Sequence, residues 1–193
     1  MTLRVEDSCC QTRLMTHDGA TVFDEPIRST ASELLEANNL FTAKFSEAGM
    51  SARPRRKLAI VACMDSRIDL STMLGLQNGD AHILRNAGGV VTEDVIRSLC
   101  LSQRALGTTE IVLIHHTRCG VQGLDETDFN RQLEDETGAK PAWSFESFHD
   151  PFDDVRESIQ RLRSNPFLKS TDAIAGFVYD VDTGKLVPVE SAD

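Results

Sequence analysis

The stretch that decides the fold is Lys57-Leu-Ala-Ile-Val-Ala-Cys63-Met-Asp65-Ser-Arg67. It begins as an apolar run of strand length and ends in a thiol, a carboxylate and a guanidinium at alternate positions. An apolar run without a polar face predicts a central strand of a parallel sheet that is covered on both sides. Reactive groups just beyond such a strand lie where open α/β sheets bind their ligands.

A second stretch has the same form: Glu110-Ile-Val-Leu-Ile-His115-His116-Thr-Arg-Cys119-Gly120. Again an apolar strand ends in side chains of the types that bind metals. We expect the two strand ends to lie side by side and to share one zinc ion. Successive strand residues face opposite ways, so we expect His115 to be a second-layer or core residue and not a ligand.

Composition limits the class of protein. The 193 residues suffice for one domain with its own core, and a net charge of −10 argues against nucleic acid or an anionic membrane as partner. Five cysteines without the spacing of a small disulfide scaffold favour a reducing compartment. No apolar run reaches the length of a transmembrane helix. We therefore expect a cytoplasmic protein.

The chain divides into an arm and a domain. Residues 1–28 have no clear hydrophobic period and are predicted to form an irregular N-terminal arm, whereas residues 29–193 form a single zinc-binding α/β domain. The sequence Thr30-Ala-Ser-Glu33 is a capping-box pattern, and the helix that it begins is expected to extend to about Ala48.

The order of the remaining elements predicts the fold class. Strands alternate with helices from residue 57 onward, and two final strands, 173–180 and 185–189, are joined by a tight turn. This order predicts an α/β fold with a mainly parallel central sheet, helices on both faces and an antiparallel C-terminal hairpin strand.

The candidate metal ligands are Cys63, His116 and Cys119, because two thiolates and an imidazole form a soft donor set suited to zinc. Three protein ligands leave the fourth tetrahedral position for water, as in catalytic sites. A structural site would need a fourth ligand, for which Cys9 and Cys10 are the spare pair. By spacing alone, a core histidine with inert thiols remains an alternative.

Asp65 and Arg67 favour the catalytic interpretation. A carboxylate next to zinc would otherwise bind the metal, but an arginine two residues on can hold it away through a bidentate pair. Asp65 can then accept a hydrogen bond from the water and orient it as a nucleophile. Two thiolates cancel the charge of zinc, so we expect turnover to rise with pH above neutrality.

The two motifs together, Cys63-x-Asp65-x-Arg67 and His116-x-x-Cys119-Gly120, resemble those of the β-carbonic anhydrase family. The resemblance covers about residues 30–189. It implies a β-carbonic anhydrase-like fold, with Cys63, His116 and Cys119 as ligands of one zinc ion per chain and Asp65 and Arg67 as the catalytic dyad. The turn Asn86-Ala87-Gly88-Gly89 is similar to a family segment that lines the substrate cleft.

The resemblance also suggests a substrate class. His115-His116-Thr117-Arg118, with the segments 79–89 and 179–185, looks like the compact branch that includes carbonyl sulfide hydrolases as well as true carbonic anhydrases. We lean to carbonyl sulfide hydrolysis, with carbonic anhydrase activity as the alternative. A zinc protein that has lost turnover is disfavoured because Asp65 and Arg67 are both present. The expected partners are a small gas molecule, water and, in a homodimer or homotetramer, further copies of the chain.

Overall fold

The computed structural model describes residues 30–190 of the chain. It divides into two units, Met1–Ala48 and Gly49–Asp193. The arm predicted for residues 1–28, together with Cys9 and Cys10, lies outside the described residues. The domain boundary predicted there stays a prediction.

In the first unit, α1 spans Thr30–Thr42. The prediction that this helix continues to about Ala48 is wrong. At its end, Lys44 N donates to Phe41 O at 3.0 Å and Phe45 N to Thr42 O at 3.2 Å. These three-residue bonds close a tighter turn than the four-residue bonds of an α-helix, and the helix ends there.

The second unit holds a five-stranded sheet and four helices within its described part. The elements are β1 (Leu58–Cys63), α2 (Leu70–Leu74), β2 (Ala81–Asn86), α3 (Glu93–Arg104), β3 (Glu110–His116), α4 (Glu126–Thr137), α5 (Pro151–Arg163), β4 (Ile174–Tyr179) and β5 (Leu186–Val189). The strand order is β2-β1-β3-β4-β5, in which every pairing is parallel except that of β4 with β5. The predicted fold class is confirmed.

The two faces of the sheet bury separate cores. Ala59 and Val61 of β1 pack in one cluster with apolar residues of α3 and α5. Ile60 and Ala62 face the other way and pack in a second cluster that includes Leu70 of α2. The apolar run of β1 is continuous because both of its faces are covered.

Polar caps fix where the helices after the strands begin. Asp150 accepts hydrogen bonds from Phe152 N and Asp153 N and so caps α5, whose first residue is Pro151. The residue that caps α4 is Asp125, whose Oδ1 accepts from Thr127 N and Asp128 N at 3.0 Å each. Among the described helices, none is long and apolar enough to cross a membrane.

Candidate metal centre

The candidate site lies at the carboxyl ends of β1 and β3, which are neighbours in the sheet. From β1 the chain crosses to β2 on one side, and from β3 it crosses to β4 on the other. The order of the sheet therefore reverses between β1 and β3, which is the position where open α/β sheets bind their ligands. Cys63 is the last residue of β1 and His116 the last residue of β3.

The structure brings together all three predicted metal ligands. The donor atoms of Cys63, His116 and Cys119 lie within 4.8 Å of one another, all three residues are buried, and the two sulfurs are 3.8 Å apart. Within residues 30–190, this cluster has no fourth member. Cys63 lies far from His116 and Cys119 in the sequence, but the pairing of β1 with β3 brings the three residues together.

One ring nitrogen of His116, Nε2, is available to bind a metal together with the two sulfurs. His116 Nδ1 lies 2.9 Å from Thr117 O, and a carbonyl can only accept, so Nδ1 carries the proton. Nε2 is then left with its lone pair, buried and without a hydrogen-bond partner. A buried, unpaired acceptor beside two sulfurs is what a soft divalent cation requires. The residues present fit zinc.

The thiols of Cys63 and Cys119 shift each other's pKa values in opposite directions. The hydrogen bond from the Cys119 thiol lowers the pKa of Cys63 to about 4 against the opposing effect of burial, with smaller help from His116 and from the N–H groups of Asp65 and Gly88. The pKa of Cys119 is raised, first by that same hydrogen bond and then by burial. Zinc binds cysteine as the thiolate, so metal binding is expected to release protons from this pair.

Asp65 and Arg67 form the predicted bidentate pair. Arg67 Nε donates to Asp65 Oδ1 at 2.9 Å and Nη2 to Oδ2 at 2.7 Å, while the backbone N of Arg67 also donates to Oδ1 at 2.9 Å. These bonds hold the pKa of Asp65 well below its usual range. Oδ2 lies 3.8 Å from His116 Nε2. An ionised carboxylate thus stands beside the donor cluster without joining it.

The turn predicted to line the cleft packs against β1. A Cβ on Gly89 would lie 2.7 Å from Cys63 N, and Gly89 has φ +76°, so glycine is needed for close approach to the strand. Asn86 Nδ2 donates to Val90 O at 2.9 Å, and Asn86 Oδ1 is buried without a partner. Gly88 is buried and Ala87 partly buried. Contact of this turn with a substrate stays a prediction.

His115 lies outside the donor cluster, as expected from its place in the strand. It is fully buried, and its Nε2 lies 2.5 Å from Asp154 Oδ2 in the first turn of α5. Its ring also packs on Phe148, with ring centroids 5.1 Å apart. His115 therefore links α5 to β3 beneath the site.

The comparisons with known proteins agree with this geometry. The model of the carbonic anhydrase family matches residues 58–186. β-Carbonic anhydrase 1 of Mycobacterium tuberculosis is 51% identical over 150 residues, which cover 78% of this chain and 92% of that protein. The chain belongs to the β-carbonic anhydrase family.

The β-carbonic anhydrase family includes relatives of two kinds. The crystal structure of carbonic anhydrase from Streptococcus mutans matches with a TM-score of 0.79 and 42% identity, over 84% of this chain and 98% of that one. A carbon disulfide hydrolase of Acidithiobacillus thiooxidans is 31% identical over 154 residues, which cover 69% of this chain and 77% of that protein.

Arg85 is a site residue that sequence reasoning missed. Its guanidinium donates to Cys63 O at 2.8 Å, to Asp65 O at 2.7 Å and to Ile68 O at 3.2 Å. One side chain thereby fixes the loop that carries Cys63 and the Asp65–Arg67 pair of this β-carbonic anhydrase family member. Little in the sequence signals this role, because an exposed arginine is ordinary on an edge strand such as Ala81–Asn86.

Proposed function

We propose that this chain is a zinc-dependent carbonic anhydrase that catalyses the reversible hydration of carbon dioxide to bicarbonate and a proton. One observation carries the proposal: buried Cys-His-Cys donors have beside them a carboxylate that an arginine holds in a bidentate pair. One zinc ion per chain would be held by Cys63, His116 and Cys119. Zinc in such a site supplies the Lewis acidity that activates water as a nucleophile near neutral pH.

In this proposal Asp65 and Arg67 have separate roles beside the zinc ligands. Arg67 occupies both carboxylate oxygens of Asp65 and so keeps Asp65 from becoming a fourth ligand. Oδ2 is the carboxylate oxygen paired with Arg67 Nη2 and lies 3.8 Å from His116 Nε2. We assign Oδ2 as the acceptor of a hydrogen bond from the attacking water, which it would orient. Its lowered pKa keeps it ionised and able to accept throughout the neutral range.

The choice of carbon dioxide rests on the relatives. The protein that is 51% identical is named a β-carbonic anhydrase, whereas the carbon disulfide hydrolase is 31% identical. Carbonyl sulfide hydrolysis to hydrogen sulfide and carbon dioxide is the second candidate. It keeps the support of the Thr117-Arg118 pattern, and carbon dioxide, carbonyl sulfide and carbon disulfide share an electrophilic central carbon. Neither of these two relatives is named a carbonyl sulfide hydrolase, so the preference for carbonyl sulfide has no support from the comparisons.

Parallel assays with each gas test the proposal. Purified zinc-loaded protein is mixed with carbon dioxide in a stopped-flow experiment that follows proton release, and with carbonyl sulfide while sulfide release is measured. We expect carbon dioxide to be the better substrate by kcat/KM. A higher kcat/KM for carbonyl sulfide would assign the second candidate, and turnover of neither gas by protein with one zinc per chain would refute both.

Replacement of Asp65 by asparagine tests the assigned role. Asp65→Asn should lower kcat/KM by about 10²–10⁴-fold, the usual range for loss of a general acid–base group, while zinc content stays at one per chain. Asp94→Asn is the matched control, because Asp94 also pairs with an arginine but is exposed on α3. Full activity of Asp65→Asn would contradict the assignment.

We further propose that the protein is a homodimer or homotetramer. Five large apolar side chains in and just after α1 are 49–73% exposed: Leu34, Leu35, Leu40, Phe41 and Phe45. A second copy of the chain is the partner that would cover them, as the family resemblance leads us to expect. Sedimentation of the purified chain should give a dimer or tetramer. A monomer at micromolar concentration would contradict this.

A further inference from the structure

Arg118 has an unusual backbone conformation within the ligand loop. It lies between the ligands His116 and Cys119 and has φ +53°, in the left-handed region that long side chains rarely adopt. In this conformation its carbonyl oxygen accepts a hydrogen bond from Arg67 Nη2 at 3.0 Å. The same Nη2 donates to Asp65 Oδ2. Arg67 is thus held on one side by Asp65 and on the other by the backbone of Arg118.

The side chain of Arg118 is tied to the turn between β4 and β5. Its guanidinium forms an ion pair with Asp182. That turn is closed by Asp180, whose Oδ1 accepts from Asp182 N at 2.9 Å and whose Oδ2 accepts from Thr183 Oγ1 at 2.7 Å. Asp182 is therefore presented to Arg118 from a turn that its own hydrogen bonds hold in shape.

A second link joins the same turn to the ligand loop. Thr117 N donates to Tyr179 O at 2.9 Å, and Val181 N donates to Thr117 Oγ1 at 3.1 Å. The loop is consequently anchored on both its backbone and its side chains. Of these anchors, the ion pair is the one that acts directly on Arg118.

We propose that Arg118 and Asp182 are positioning residues for Arg67, and through it for Asp65. The ion pair holds Arg118 in its left-handed conformation, and that conformation directs its carbonyl to Arg67 Nη2. Asp182 also favours the positive charge of Arg67, whose pKa is raised chiefly by Asp65. The proposal rests on the proposed function, since it gives the dyad its catalytic role. Neither positioning side chain needs to contact the substrate.

The first test compares Arg118→Gln, Asp182→Asn and the double variant, all loaded with zinc. Glutamine has nearly the length of arginine but no charge and no special preference for positive φ, so Arg118→Gln removes the ion pair without replacing its effect on the backbone. Each single variant should lower kcat by a factor of about 2 to 5, the range open to an exposed ion pair, with KM unchanged. The double variant should lose no more than either single variant, and Asp182→Glu should retain most of the activity.

Matched controls separate positioning from general stability. Arg97→Ala removes an equally exposed arginine–aspartate pair on α3 and should leave kcat unchanged. In an Arg67→Lys background, Asp182→Asn should have no further effect, because its route to the dyad is already broken. Additive losses in the double variant, or an undiminished effect in the Arg67→Lys background, would overturn the proposal.

A readout independent of turnover completes the test. In zinc-loaded, ¹⁵N-labelled protein, the Arg67 Nε–H resonance should exchange with water severalfold faster in Arg118→Gln and Asp182→Asn than in the unaltered chain. Unchanged exchange would refute positioning even if activity fell. If the protein turned over neither gas, the proposed function would fail, yet the exchange rates would still decide whether this pair holds Arg67.

Discussion

Gly89 offers a sharp test of how tightly the ligand strand is packed. A Cβ at this position would lie 2.7 Å from Cys63 N and 2.9 Å from Ala62 C, both backbone atoms that cannot rotate away. The φ of +76° adds the cost of a left-handed side-chain residue, about 1–2 kcal/mol. Overpacking of a core typically costs a further 1–3 kcal/mol or so. Gly89→Ala should therefore destabilise the fold by about 2–5 kcal/mol.

Gly107→Ala is the matched control for this substitution. Gly107 has a similar φ of +81°, but a Cβ there would meet nothing within 4 Å. Only the backbone term of about 1–2 kcal/mol applies to it. Urea unfolding of both variants, at one protein concentration and with zinc removed, measures the difference. Gly89→Ala should also weaken zinc binding in a chelator competition because it displaces Cys63.

One outcome of the comparison between Gly89→Ala and Gly107→Ala would refute the close packing of Gly89. If the two alanine variants were equally destabilised and bound zinc equally well, the close packing of Gly89 on β1 would not exist in solution. The reasoning that glycine is required there for contact with the ligand strand would then be wrong.

Three further predictions concern the surroundings of the site. Asp154→Ala should lower the free energy of unfolding by about 1–3 kcal/mol, because the buried His115 loses its partner; urea unfolding measures it, and an unchanged midpoint would argue against the bond. Arg85→Ala should lower kcat/KM severalfold, since three loop carbonyls lose their donor; full activity in steady-state assays would contradict that role. The free energy of unfolding should fall below about pH 4, because hydrogen bonds lower the pKa of Asp65 and of Glu126 in the folded chain. Each ionised carboxylate stabilises the fold at pH values above the pKa that it has in the unfolded chain. That contribution disappears as the pH drops through the lower pKa of the folded chain. Glu126→Gln should reduce this acid sensitivity in unfolding curves, and an unchanged pH slope would count against it.

The central strands and the donor set were predictable because their signals are local. The apolar runs before Cys63 and His116 are too uniform for a half-exposed strand, and parallel pairing then brings their carboxyl ends to one edge. The Asp65–Arg67 pair spans two residues, so its geometry follows from spacing. In such cases the whole signal lies within one short segment of the sequence.

Other features depend on partners that are distant in sequence. Arg85 contacts the loop after β1 only because β2 pairs with that strand, and Asp182 reaches Arg118 only through the hairpin turn. A sequence pattern does not specify which charge meets which carbonyl across such separations. The end of α1 at Thr42 depended on a local competition between three-residue and four-residue hydrogen bonds, which apolar periodicity does not report.

X-ray absorption at the zinc edge, on the zinc-loaded chain and on Asp65→Asn, tests the central claim most directly. We expect two sulfurs at about 2.3 Å and two lighter atoms at about 2.0–2.1 Å, with the same spectrum for both proteins because Asp65 does not bind the metal. A third sulfur ligand, or loss of a light-atom ligand in Asp65→Asn, would contradict a three-ligand centre with a tethered carboxylate.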